Sequence, residues 1–97
     1  MAATFKQALL MRLTEECGET IKEASKAFLY GGDNIGPDDT QENATKISQE
    51  VTDIIAVAEM LVEHGIIPKF GSEDAKAAKK FKVMKYMQMS REAGFVE

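Results

Sequence analysis

The sequence predicts an all-α fold, an antiparallel bundle of three main helices completed by oligomerisation, and three observations lead there. Apolar residues recur at three- and four-residue steps through three long segments. Two punctuated loops separate those segments, the first rich in Gly, Asp, Asn and Pro and the second a short link with Gly and Pro. Alternation of the kind that marks strands is missing throughout, as are internal repeats and low-complexity tracts.

The first segment spans Thr4 to Tyr30, with Thr4 as N-cap and Gly31-Gly32 as its stop. Its apolar stripe is Leu10, Leu13, Cys17, Ile21, Ala24 and Phe28. The following GGDNIGPDDT is an irregular loop, and its acids lack the spacing of a calcium-binding EF-hand. Thr40 or Asp39 caps a second helix from Gln41 to His64, with the stripe Ile47, Val51, Ile54, Ala58 and Leu61. Gly65 ends it. After the link IIPKFG, Ser72 with Glu73 and Asp74 opens a third helix to Glu92. That helix carries Ala77, Ala78, Phe81, Met84 and Met89 amid many lysines.

The 97 residues suit one domain, residues 1–97, whose core is small for a monomer. Self-association into a dimer or tetramer is the natural remedy. No apolar run approaches the roughly 18–20 residues that span a bilayer, and the N-terminal stretch lacks the basic region of a signal peptide. The single cysteine, Cys17, forms no internal disulfide, and the chain reads as cytoplasmic. Charge is uneven. Residues 1–64 hold 12 acids against 5 Lys and Arg, whereas residues 65–97 hold 4 against 7. An acidic body of that size argues against nucleic-acid binding. An acidic body with a basic helix suits a metal cluster that meets a polyphosphate, and equally suits mutual attraction of the two parts on folding.

Two acidic clusters stand out, Glu15-Glu16-Cys17-Gly18-Glu19 and Glu50-Val51-Thr52-Asp53. Glu16 and Glu19 are three residues apart, as are Glu50 and Asp53, so each pair projects from neighbouring places on a helix. Like charges so placed repel unless a cation lies between them, and Mg²⁺ takes oxygen ligands. At about 100° per residue, Glu50 and Asp53 align with Val57, Met60 and His64 on the flank of the apolar stripe, and Glu16 falls near Leu9, Leu13, Thr20 and Ala27. Glu19 lies further round. Gly18 costs helix stability of order 1 kcal/mol against Ala, and serves either close approach beside the acids or close helix packing. Glu15 points away from Glu16, toward a role in positioning water or toward solvent.

At these residues the chain resembles the all-alpha NTP pyrophosphatase superfamily, the MazG-like enzymes. Their pattern of EExxE on one helix and ExxD on the next reads here as EECGE at Glu15–Glu19 and EVTD at Glu50–Asp53. The flanking text, LTEECGETIKEASKAFLYG and ATKISQEVTDIIAVAEMLVEHGI, resembles short phage and bacterial members. The resemblance covers roughly residues 5–67 closely and the third helix loosely. It implies hydrolysis of an NTP or dNTP to monophosphate and pyrophosphate in the bacterial cytoplasm, in nucleotide-pool control or house-cleaning. It also implies Mg²⁺, replaceable by Mn²⁺, on Glu16, Glu19, Glu50 and Asp53, with Glu15 and Glu16 in catalysis. A bound metal would neutralise phosphate oxygens and lower the pKa of an attacking water.

Phosphate contacts are expected from Lys26, Lys82 and Lys85, although lysines also lie over apolar faces with their heads in water. Asn43, with Asn34, is a candidate for the base or sugar. Phe28 and Tyr30 offer rings for stacking, with core packing the expectation for Phe28. Cys17 is expected in the core, and His64 at a helix C-terminus. The chain is shorter than many members of the family, so a site completed across a dimer interface is expected. Two alternatives stand beside this one: a phosphoribosyl-ATP pyrophosphohydrolase-like enzyme, and a non-catalytic helical interaction module.

Overall fold

A computed structural model describes residues 1–36 and 39–97, and every element among them is helical: α1 (Phe5–Tyr30), α2 (Asn43–Glu63) and α3 (Glu73–Glu92). Thr4 caps α1 through a reciprocal pair. Its hydroxyl accepts from the Gln7 backbone N–H at 3.1 Å, and the Gln7 side chain accepts from the Thr4 N–H at 2.9 Å. Gly31 ends the helix at φ 90°, donating its N–H to the Ala27 carbonyl. Ser72 caps α3 by accepting from the Ala75 N–H, with Glu73 and Asp74 in the first turn.

The start of α2 differs from expectation. Its cap is Glu42, without a side-chain bond, rather than Thr40 or Asp39. Asp39 is unavailable because its carboxylate accepts from Lys26 and Lys46. The chain enters α2 instead through an antiparallel bridge between Ile35 and Glu42, with the Asn43 N–H bonded to the Asn34 carbonyl.

α1 and α2 pack as an antiparallel hairpin. The Phe5 ring at the start of α1 lies 4.8 Å from that of His64, just past the end of α2. At the other end, Asn43 and Ala44 bond to the Gly31 and Gly32 carbonyls. The third helix packs against neither, and no α3 residue is buried. The radius of gyration, 16.8 Å, accordingly exceeds the roughly 13 Å of a compact 100-residue domain.

The face that α1 turns toward α2 is not its expected apolar stripe. Leu9, Leu13, Glu16, Thr20, Glu23, Lys26 and Ala27 are buried or half-buried, whereas Ile21 is 68% and Phe28 90% exposed, and Cys17 is exposed too. Only Leu13 of that stripe turns inward. This inward face is partly polar: Glu23 pairs across the hairpin with Lys46 at 3.8 Å, and Lys26, beside Glu23 on α1, pairs with the loop residue Asp39 at 3.1 Å. On α2, Ile47, Ile54, Ala58 and Leu61 face inward as the periodicity predicts, but Val51 is exposed. The apolar core is therefore thin. Leu9 at 6% and Leu61 at 0% exposure are its buried members among the described residues. No helix is long and apolar enough to cross a membrane.

Candidate metal centre

Halfway along the hairpin, Glu16 of α1 meets Glu50 and Asp53 of α2. One carboxylate oxygen from each lies within 4.8 Å of the other two. The three-residue step puts Glu50 and Asp53 side by side on one helical face, and antiparallel pairing sets Glu16 opposite them. Glu16 and Glu50 are half-buried, while Asp53 is open to solvent. Burial, then the charges of Asp53, Glu19, Glu16 and Glu23, push the Glu50 carboxyl above its ordinary value. Three oxygen donors converging from two helices, with their mutual repulsion uncompensated, match the donor chemistry of a hard divalent cation.

Glu19 stands apart from the trio, exposed on the flank of α1, although its charge is felt at Glu50. Glu15 is exposed and paired with Arg12 at 3.1 Å. Among the described residues, nothing beyond the local helix backbone lies within 4 Å of a Cβ built on Gly18, so no tertiary contact seen there requires glycine.

The expected substrate contacts divide. Lys26 lies on the inward face of α1 with Glu16, but its ammonium already pairs with Asp39 at 3.1 Å and with Glu23 at 3.8 Å. Asn43 is fully buried. Its amide donates to the Gly31 carbonyl at 2.9 Å, which ties the start of α2 to the end of α1. Asn34 likewise donates to the Tyr30 carbonyl. Lys82 and Lys85 are exposed on α3, which does not pack on the hairpin, so a single chain does not bring them to the carboxylates. Phe28 and Tyr30 are exposed, and for Phe28 this replaces the expected core position. Cys17, expected in the core, is exposed for the same reason: the stripe they share faces solvent.

Three neighbouring residues escaped the sequence reading. Glu23 is 2% exposed, Lys46 pairs with it at 3.8 Å, and Asp39 bridges Lys26 and Lys46. A signal for two of them was present. Glu23 follows Glu16 by seven residues and Lys46 precedes Glu50 by four, so each continues the face that carries the acids. No family model matches the chain, and no curated protein or solved structure is similar enough to count as a relative.

Proposed function

We propose that the chain is a Mg²⁺-dependent nucleoside triphosphate pyrophosphohydrolase, cleaving an NTP or dNTP to the monophosphate and pyrophosphate. The observation that carries this reading is the convergence of Glu16, Glu50 and Asp53 within 4.8 Å. The resemblance of EECGE and EVTD to the MazG-like pattern supports it. Glu16, Glu50 and Asp53 hold the cation, and Glu19 reaches it from the flank of α1, through water or after a rotamer change. The cation supplies charge neutralisation for phosphate oxygens and a lowered pKa for bound water. Glu15, freed from Arg12, orients water at the edge of the site.

The exposed stripe of α1 and the unpacked α3 support assembly of two or four chains, which would bring Lys82 and Lys85 of one copy toward the carboxylates of another. Incubation with Mg²⁺ and a panel of canonical and modified NTPs and dNTPs, with pyrophosphate and monophosphate measured, tests the proposal. Turnover of at least one substrate, lost without metal and regained with Mn²⁺, is the expected result. No turnover together with no Mg²⁺-dependent thermal shift overturns it and leaves a helical interaction module.

A further inference from the structure

Toward the loop from the carboxylate trio, the same side of the hairpin carries a second charged cluster. Lys26 Nζ donates to Asp39 Oδ2 and Lys46 Nζ to Asp39 Oδ1, each at 3.1 Å, so one carboxylate spans two ammonium groups from different helices. Behind them lies Glu23, with Oε1 3.8 Å from each ammonium. Glu23 is 2% exposed, and among the described residues its Oε2 has no hydrogen-bond partner. Lys46 precedes Glu50 by four residues, or about 6 Å along the helix axis, so the two clusters are neighbours on one face of α2.

The charges differ in permanence. Glu23 is fixed by burial on α1 and offsets one of the two lysines. Asp39 belongs to the loop before α2 rather than to either packed helix, and its side chain is 9% exposed. Without Asp39, the two lysines and Glu23 carry a net single positive charge. A buried glutamate is costly to keep, and here it holds two cations side by side in a geometry that receives two oxygens of one anion.

We propose that Lys26 and Lys46 form a subsite for a phosphate oxyanion, and that Asp39 fills it in the free chain as an internal stand-in which polyphosphate displaces. The identity of the polyphosphate as part of a nucleotide rests on the function proposed above. The subsite itself needs neither metal nor turnover.

Tripolyphosphate titrated into the metal-free protein in EDTA, followed by calorimetry, separates the two. Asp39→Ala should bind tripolyphosphate about tenfold more tightly than the unsubstituted chain, the order expected for releasing two partly exposed ion pairs. The double variant Lys26→Gln/Lys46→Gln should lose binding. Unchanged or weaker binding by Asp39→Ala overturns the proposal, as does undiminished binding by the double variant, which would place the anion on other lysines. If Asp39→Ala does not fold, the unsubstituted chain decides: tripolyphosphate must shift the Lys26 and Lys46 ammonium resonances and the Asp39 carboxyl resonance, and their constancy refutes displacement. Tripolyphosphate binding without NTP turnover would sink the catalytic reading and leave the subsite standing.

Discussion

Asp53→Asn removes one charge from the trio and isolates the metal claim from the fold. Asp53 faces both Glu16 and Glu50 within 4.8 Å. Two unit charges at that distance repel by about 1 kcal/mol in a water-like dielectric, less once salt screens them. Removing two such repulsions should stabilise the metal-free chain by about 1–2 kcal/mol at low ionic strength, since Asp53 is exposed and, among the described residues, makes no side-chain hydrogen bond or ion pair. For a domain of this size, each kcal/mol moves Tm by about 4–8 °C. Thermal unfolding in EDTA at low salt should therefore show the variant melting higher than the unsubstituted chain. The same melt in Mg²⁺ should reverse the order, because metal raises Tm only where its ligands are intact, and NTP hydrolysis should be abolished. A lower Tm in EDTA, or an equal rise in Tm on adding Mg²⁺, would refute the reasoning.

Other perturbations probe the rest. The Glu50 carboxyl is raised above its ordinary 4.5, so the folded metal-free chain disfavours its charged form. Stability should grow as pH falls from neutral through that raised pKa, and Mg²⁺ affinity should fall over the same window as protons compete; melts across pH with and without Mg²⁺ check both signs. Asp39 behaves oppositely. Its carboxyl is held below 3.8 by hydrogen bonds from Lys26 and Lys46, so its contribution persists above that value and vanishes only as pH falls through the depressed pKa. Asn43→Ala removes the tie to the Gly31 carbonyl and should cost about 1–2 kcal/mol in urea unfolding, with Mg²⁺ binding retained. Leu61→Ala empties the most buried apolar position and should cost about 2–5 kcal/mol, enough to unfold much of so small a core at 37 °C.

The helices were legible because their boundaries are written in local chemistry. Thr4 with Gln7, Gly31, and Ser72 with Glu73 and Asp74 act within a few residues of themselves, and the third helix runs over the expected residues. The start of α2 was not legible, because Asp39 is claimed by two lysines, Lys26 thirteen residues earlier and Lys46 seven later, rather than by the nearest N–H groups. The inward face of α1 was misassigned for a related reason. Periodicity ranks faces by hydrophobicity, but Glu23 pairs with Lys46 of α2 and Lys26 with Asp39 of the loop, partners that the pattern of one helix cannot reveal. The rotation that exposes Ile21 and Phe28 also swings Glu16 toward Glu50 and Asp53, so the carboxylate trio and the misplaced stripe have one origin. Glu16, Glu50 and Asp53 were legible from their places beside Leu13 and Val57. Glu19 was named on the motif alone, and it stands outside the trio.

The central claim is that Glu16, Glu50 and Asp53 hold a divalent cation, and paramagnetic broadening by Mn²⁺ tests it most directly. In two-dimensional NMR spectra of the labelled chain, substoichiometric Mn²⁺ should broaden the amides around Glu16, Glu50 and Asp53 first. Those around Glu73 and Asp74, acidic but solitary at the start of α3, should stay sharp, and excess Mg²⁺ should restore the lost signals. Broadening spread evenly over all acidic residues, or centred away from the trio, would contradict the account.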